Sequence, residues 1–177
     1  MVAPTKTSFG VTGAAVLARA NQTGEQAIST ITGLQAALDG KASAILSGSW
    51  TPALAGGTTP GTPTYTTREG YYTRIGNIVV AQAYLVISGV GGAVGTATIT
   101  GLPFSLASGT GKRAPFNIAF WSGITLPAGS IHLVGFFQSG TVIQMQRWTV
   151  SSGGTALAIS DLTAPTTIYG TVTYEAA

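Results

Sequence analysis

The segments FNIAFW (116–121), SIHLVGFF (130–137) and VIQMQRWT (142–149) decide the fold class. An extended chain points successive side chains to opposite faces. The first segment therefore puts Phe116, Ile118 and Phe120 on one face and Asn117, Ala119 and Trp121 on the other. In the second, Ile131, Leu133 and Phe137 oppose Ser130 and His132, with Val134 and Phe136 blurring the alternation. In the third, Gln144, Gln146 and Trp148 oppose Ile143 and Met145. The link Gln138-Ser139-Gly140-Thr141 has the composition of a hairpin loop. Apolar residues at period two, rich in aromatic and β-branched types, specify strands.

The same texture runs outward from these segments. Toward the N-terminus, 95–100 alternates Ala97 and Ile99 against threonines, and 78–88 forms the longest strand after a Gly76-Asn77 turn. Two short Thr/Tyr-rich runs, 62–67 and 71–74, are separated by Arg68-Glu69-Gly70, which has the look of a turn. Toward the C-terminus come a short run at 155–159 and a final strand at 167–175. Eight or nine short strands joined by Gly-rich turns imply an all-β domain, a β-sandwich of jelly-roll type, starting at Trp50.

Upstream of Trp50 the periodicity changes. In ITGLQAALDGKA (31–42) and its flanks, Ile28, Ile31, Leu34, Leu38 and Ile45 follow helical spacing, and Asp39-Gly40 reads as the helix end. Isolated helices shorter than ~12–15 residues are marginal in water, so this stripe needs partners. Residues 1–23, with Pro4, Gly10 and Gly13 among small residues, read as an extended anchor. The expected organisation is an N-terminal segment (1–23), a helical neck (24–49) and a β head (50–177).

NQTGEQAISTITGLQAALDGKA (21–42) resembles the segment that recurs in bacteriophage tail-fibre and related virion fibre and spike proteins, where it joins a virion-attached N-terminus to a distal domain. VLARANQTG, SWTPALAGGTTPGTPTYTTREGYYTRIGNIVV, GTATITGLPF and the closing IYGTVTYEA are similar to the same family. The resemblance covers residues 12–104 and 168–176, and 105–167 match nothing in the family. It implies a homotrimer, held by Ile28, Ile31, Leu34, Leu38 and Ile45. It also implies an N-terminus docked to capsid or tail proteins, and a location in the virion after assembly in the host cytoplasm. The head is then expected to attach to host cell-surface glycans. The alternative is a structural capsid head fibre or decoration protein without a specific receptor. No repeated shaft follows the neck, which favours a compact spike over a long tail fibre.

Composition narrows the chemistry. Charged residues are 7% of the 177, where about 25% is ordinary. Threonine and glycine supply much of the surface instead, which suits a protease-exposed particle or a subunit covered by its own copies. The net charge is +3, but the basic residues do not cluster beyond Lys112-Arg113, so a nucleic-acid partner is not expected. There are no cysteines and one histidine, so neither thiolate nor multi-histidine metal sites are expected, and no cofactor motif is present. Mean hydropathy is +0.38, yet the longest apolar run, at 78–87, is too short to span a bilayer, and no secretory signal is visible at the start. Membrane insertion is not expected.

Glycan cleavage needs a pair of carboxyl groups. The β head offers only Glu69, Asp161 and Glu175, and the chain is expected not to be an enzyme. Binding is the better expectation. Sugars present hydroxyls around an apolar ring face, so a receptor needs planar aromatics and amides. Asn117 and Trp121 on one strand, Gln144, Gln146 and Trp148 on another, and His132 between them are the candidate ligand-binding residues. The same face also suits packing between subunits. Trp50, Tyr65, Tyr71 and Tyr72, in the part that resembles the shared scaffold, are expected to be structural.

Overall fold

The computed structural model describes residues 28–42, 45–109, 111–137, 139–150 and 153–177. The expected anchor at 1–23 lies outside the described residues. The chain divides into two units, Met1–Lys41 and Ala42–Ala177.

In the first unit a single 3-10 turn, Ile28–Thr30, precedes a nine-residue helix α1, Leu34–Ala42. Gly33 stands between them at φ +79°, a left-handed conformation that ends one helical path and starts another. Ile28 and Ile31 therefore do not share a continuous helix with Leu34 and Leu38. The helix also runs through Asp39-Gly40 instead of stopping there, and the Gln35 side-chain amide donates to the Asp39 carboxylate one turn on, at 2.7 Å. Ile28 and Leu38 are exposed, and Ile31 and Leu34 are half-buried.

The second unit is all β. Its strands are β1 (Ile45–Trp50), β2 (Ala53–Gly56), β3 (Thr64–Ile75), β4 (Ile78–Gly89), β5 (Ala97–Thr100), β6 (Ala114–Ile124), β7 (Ser130–Phe137), β8 (Ile143–Thr149), β9 (Gly153–Ala156) and β10 (Leu162–Glu175). They form one antiparallel sheet in the order β1-β3-β4-β10-β6-β7-β8-β5-β2, with β9 added beside β8. The strands are thus joined along one hydrogen-bonded path, and the sheet curls so that both flanks share one core. Tyr65 of β3 shows this closure, because its hydroxyl accepts from the backbone N–H of Leu54 on β2 at 2.8 Å, although the two strands lie near opposite ends of the order.

The core is filled by alternate residues. Val79, Ala81, Ala83, Leu85 and Ile87 of β4 face inward, as do Ile168, Val172 and Tyr174 of β10. Phe116, Leu133, Phe137, Ile143, Met145 and Leu157 close the other side. Two rings meet edge-on there, Phe137 and Tyr174, with centroids 5.0 Å apart. The inward Tyr174 is satisfied by donating to the Phe104 carbonyl at 3.0 Å, and burial pushes its phenol up from 10.0 to about 12.

Several boundaries differ from the sequence expectation. Ile45–Trp50, placed in the neck up to Ser49, is strand β1 and pairs with β3 in register Ile45↔Ile75 to Trp50↔Gly70. Ile45 therefore belongs to the sheet and not to a helical stripe. Arg68-Glu69-Gly70 is no turn, because β3 runs unbroken from Thr64 to Ile75. Gly70 serves a different purpose: the Trp50 indole lies across it, and any side chain at 70 would fall on that ring. The four-residue strand β2 was too short to leave a periodic signal.

Candidate functional site

Two of the concavities among the described residues lie on the outer face of the sheet, one over β7 and β8 and one over β3, β4, β10 and β6. The first to consider is built by β7 and β8, with the start of β6 as its rim. Register sets His132 opposite Trp148, Val134 opposite Gln146 and Phe136 opposite Gln144. Directly opposed residues of an antiparallel pair share a face. These six therefore stand together outside, while Leu133, Phe137, Ile143 and Met145 point into the core. The alternation that Val134 and Phe136 blurred in sequence is regular in the structure. Both belong to the outer row with His132, and the irregularity lies at Ile131, an extra residue between the pairs Ser130↔Thr149 and His132↔Trp148.

A groove of about 620 Å³ runs over this row, within the ~300–1,000 Å³ of typical small-molecule sites. His132, Val134, Phe136, Gln146 and Trp148 line it, and Arg113 and Pro115 form its rim. Trp148 is 46% exposed. The reason lies on the neighbouring strand, where Trp148 pairs with Gly154 of β9. Glycine leaves that side of the indole bare, and a Cβ at 154 would come within 2.7 Å of the Gln146 side-chain oxygen. The result is a planar apolar ring beside an amide and an imidazole.

Of the six sequence candidates, His132, Gln146 and Trp148 meet in this groove. Gln144 shares their face but is not part of the lining. Asn117 and Trp121 are elsewhere. β6 pairs with β7 only over Ala114–Phe116, so Asn117 stands beside Thr171 of β10 instead. Trp121 does not share a face with Asn117. Ile118 pairs with Gly170 and Phe120 with Tyr169, which leaves Ala119 as an extra residue and reverses the alternation beyond it. Trp121 then pairs with Ile168 but stays outside the core and exposed, and Phe120 turns outward.

That reversal completes the second concavity, which sequence reasoning missed. Glu69 and Tyr71 of β3, Gln82 and Tyr84 of β4, Tyr169 of β10 and Phe120 of β6 line about 430 Å³. Tyr84 and Tyr169 meet edge-on, with centroids 6.1 Å apart. Tyr71 is 52% exposed and Phe120 56%. Trp50 is part of the core and Tyr65 and Tyr72 pack against it, whereas Tyr71 points to solvent. The period-two rows Glu69-Tyr71-Thr73-Ile75 and Ile78-Val80-Gln82-Tyr84 were the available signal. Exposed Ile45, Ile75, Ile78 and Val80 continue this surface along β1, β3 and β4.

The charged groups of the β unit are mostly engaged. Lys112 pairs with Glu175. Asp161 accepts from the Ala158 backbone N–H at 3.0 Å. Arg74 stacks on Phe104 and Arg68 on Tyr65. Among the described residues no cluster of metal-ligating side chains occurs, and no helix is long and apolar enough to cross a membrane.

No family model matches the chain, and no curated protein matches it. Among solved structures it is similar to the crystal structure of the Dettilon tailspike protein, at 21% identity and TM-score 0.59 over 75% of this chain. The two share a fold. The chain spans 24% of that tailspike's length, so the likeness concerns one part of a much larger protein.

Proposed function

We propose that the chain is a component of a phage virion spike or fibre whose β unit attaches to host surface glycans. The observation that carries this reading is the β7–β8 groove, where Trp148 offers a stacking plane and Gln146 and His132 offer hydrogen bonds beside it. Stacking of a ring face on an aromatic combined with amide contacts is the chemistry that holds a sugar. The shared fold with a tailspike and the resemblance of 12–104 to fibre proteins support the virion setting.

The chain acts as a homotrimer in this account. Ile28 and Ile31 on one side of Gly33, and Leu34 and Leu38 on α1, supply one self-contact. The outer face of β1, β3, β4 and β10, which includes Ile45, is the other. That face is about 20 Å by 33 Å from strand spacing and rise, near the ~800 Å² per partner of a standard interface. Three identical grooves on one head raise the apparent affinity for a repetitive polysaccharide. The N-terminal 23 residues dock to capsid or tail proteins, and the particle assembles in the host cytoplasm. No catalytic role is assigned: of the three head carboxylates, Glu175 and Asp161 are held by Lys112 and by Ala158.

The test is binding of the purified full chain to host cells or a host glycan array, beside a Trp148→Ala variant. Saturable binding that disappears in the folded variant supports the reading. The broad outer face around Tyr84 favours a second reading, a structural capsid decoration that only packs against its copies. Absence of any glycan or cell binding by the parent chain selects it.

A further inference from the structure

We infer that the concavity over β3, β4, β10 and β6 binds an organic ammonium group, seated against the Tyr84 and Tyr169 rings with Glu69 as its counter-ion. This site is separate from the β7–β8 groove and stands whether or not that groove holds a sugar. Strand register builds it. Glu69 is opposite Tyr84, Tyr84 opposite Tyr169 and Tyr169 opposite Phe120, so one row of directly opposed residues crosses four strands on the outer face. Tyr71 and Gln82, also opposed, form the next row and close one side. The planes of Tyr84 and Tyr169 stand at 83° to each other, which makes them two walls of a corner, and the space over that corner is about 430 Å³.

The chemistry of the lining selects a cation. The face of an aromatic ring is the negative side of its quadrupole and attracts an ammonium held within about 6 Å of the centroid. Three tyrosines and a phenylalanine supply such rings, and Glu69 is the charged group of the lining. Among the described residues Glu69 has no cationic partner. Its neighbour Arg68 pairs with the buried Leu85 and lays its guanidinium over the Tyr65 ring at 4.8 Å. The free carboxylate gives an ammonium a Coulombic attraction that a neutral ligand of the same shape does not gain. On a host surface such a group is the primary amine of an unacetylated amino sugar or the quaternary ammonium of a choline substituent. The self-contact draws on the aliphatic end of the same face, at Ile45, Ile75, Ile78 and Val80. From Ile78 to Tyr84 strand β4 rises about 20 Å, and Phe120 lies beyond that face on β6.

The experiment incorporates 3-fluorotyrosine into the full chain, so that fluorine NMR reports each of the six tyrosines, assigned by single Tyr→Phe substitution. The probes are choline, methyl glucosaminide with its amine free, the N-acetyl form of that sugar, and 3,3-dimethylbutan-1-ol, the uncharged isostere of choline. Both ammonium probes should move the Tyr84 and Tyr169 lines in a saturable way, with affinity falling as salt is raised. Each neutral counterpart should bind about tenfold more weakly. Whichever ammonium probe binds tighter names the source of the group. Glu69→Gln keeps the size of the side chain and should weaken both ammonium probes about tenfold at an unchanged melting temperature, and Tyr84→Leu should abolish the response of the Tyr169 line. Neutral probes that bind as well as their charged counterparts, or full affinity in Glu69→Gln, overturn the ammonium assignment. Unmoved tyrosine lines overturn the site itself and favour copies of the chain covering these rings. Neither result bears on the Trp148 groove, which the glycan array tests separately.

Discussion

The indole of Trp50 lies across Gly70 and donates from Nε1 to the carbonyl of Gln82 at 3.0 Å. One side chain of the edge strand β1 thus reaches over β3 to bond with β4, and the bare backbone at 70 makes the crossing possible. Gly70→Ala places a methyl group against the buried ring, and overpacking of that kind costs about 1–3 kcal/mol. The melting temperature should fall by several degrees, with Trp50 fluorescence shifting toward the exposed range. An unchanged melting curve would show that the indole moves aside freely.

Tyr174 gives the fold a dependence on alkaline pH. Its phenol is raised from 10.0 to about 12 by burial, so the folded state prefers the neutral form. The stabilisation is fully present below pH 10.0 and is lost as pH rises toward about 12. Tyr174→Phe removes the bond to Phe104 and should cost about 1 kcal/mol near neutrality. The gap between the two proteins should then close above pH 10.0, as read from chemical denaturation at several pH values. A gap that stays constant across that range contradicts the assignment.

Much of this architecture is visible in the sequence, and the failures have local causes. The strand 130–137 appears with the expected bounds although Val134 and Phe136 blur its alternation in sequence. Arg68-Glu69-Gly70 reads as a turn because glycine beside two charges breaks the pattern, whereas the structure uses Gly70 to let Trp50 cross. The pairing of Asn117 with Trp121 fails at Ala119, since a bulge is fixed by the partner strand and leaves no mark in the strand that carries it. His132, Gln146 and Trp148 come together because their segments are hairpin neighbours with regular alternation at those positions. The tyrosine-rich flank was hidden for a related reason: its members come from four strands whose order is non-sequential.

The outer face of β3 and β4 should hold copies of the chain together. Val80 is 48% exposed near its middle, so Val80→Arg leaves the core intact and places a charge in the contact. Light scattering is expected to show a smaller assembly with an unchanged melting curve for the isolated fold. Unchanged mass would mean that this surface faces solvent or another partner.

Gly154 should be required for ligand access and not for folding. Gly154→Val fits an edge strand, where β-branched residues are favoured, but covers the Trp148 ring and displaces Gln146. Glycan affinity should drop by tenfold or more while stability changes by about 0.5 kcal/mol or less. Full affinity in this variant would separate binding from the indole.

The protein's three tryptophans allow a direct view of where the sugar sits. With 5-fluorotryptophan incorporated, fluorine NMR gives one resonance each for Trp50, Trp121 and Trp148, assigned by single substitution. Titration with the bound host oligosaccharide should move the Trp148 line in a saturable way and leave the buried Trp50 line and the Trp121 line in place. A shift confined to Trp121, or three unmoved lines at a concentration where binding is saturated, would contradict the β7–β8 groove as the site of attachment.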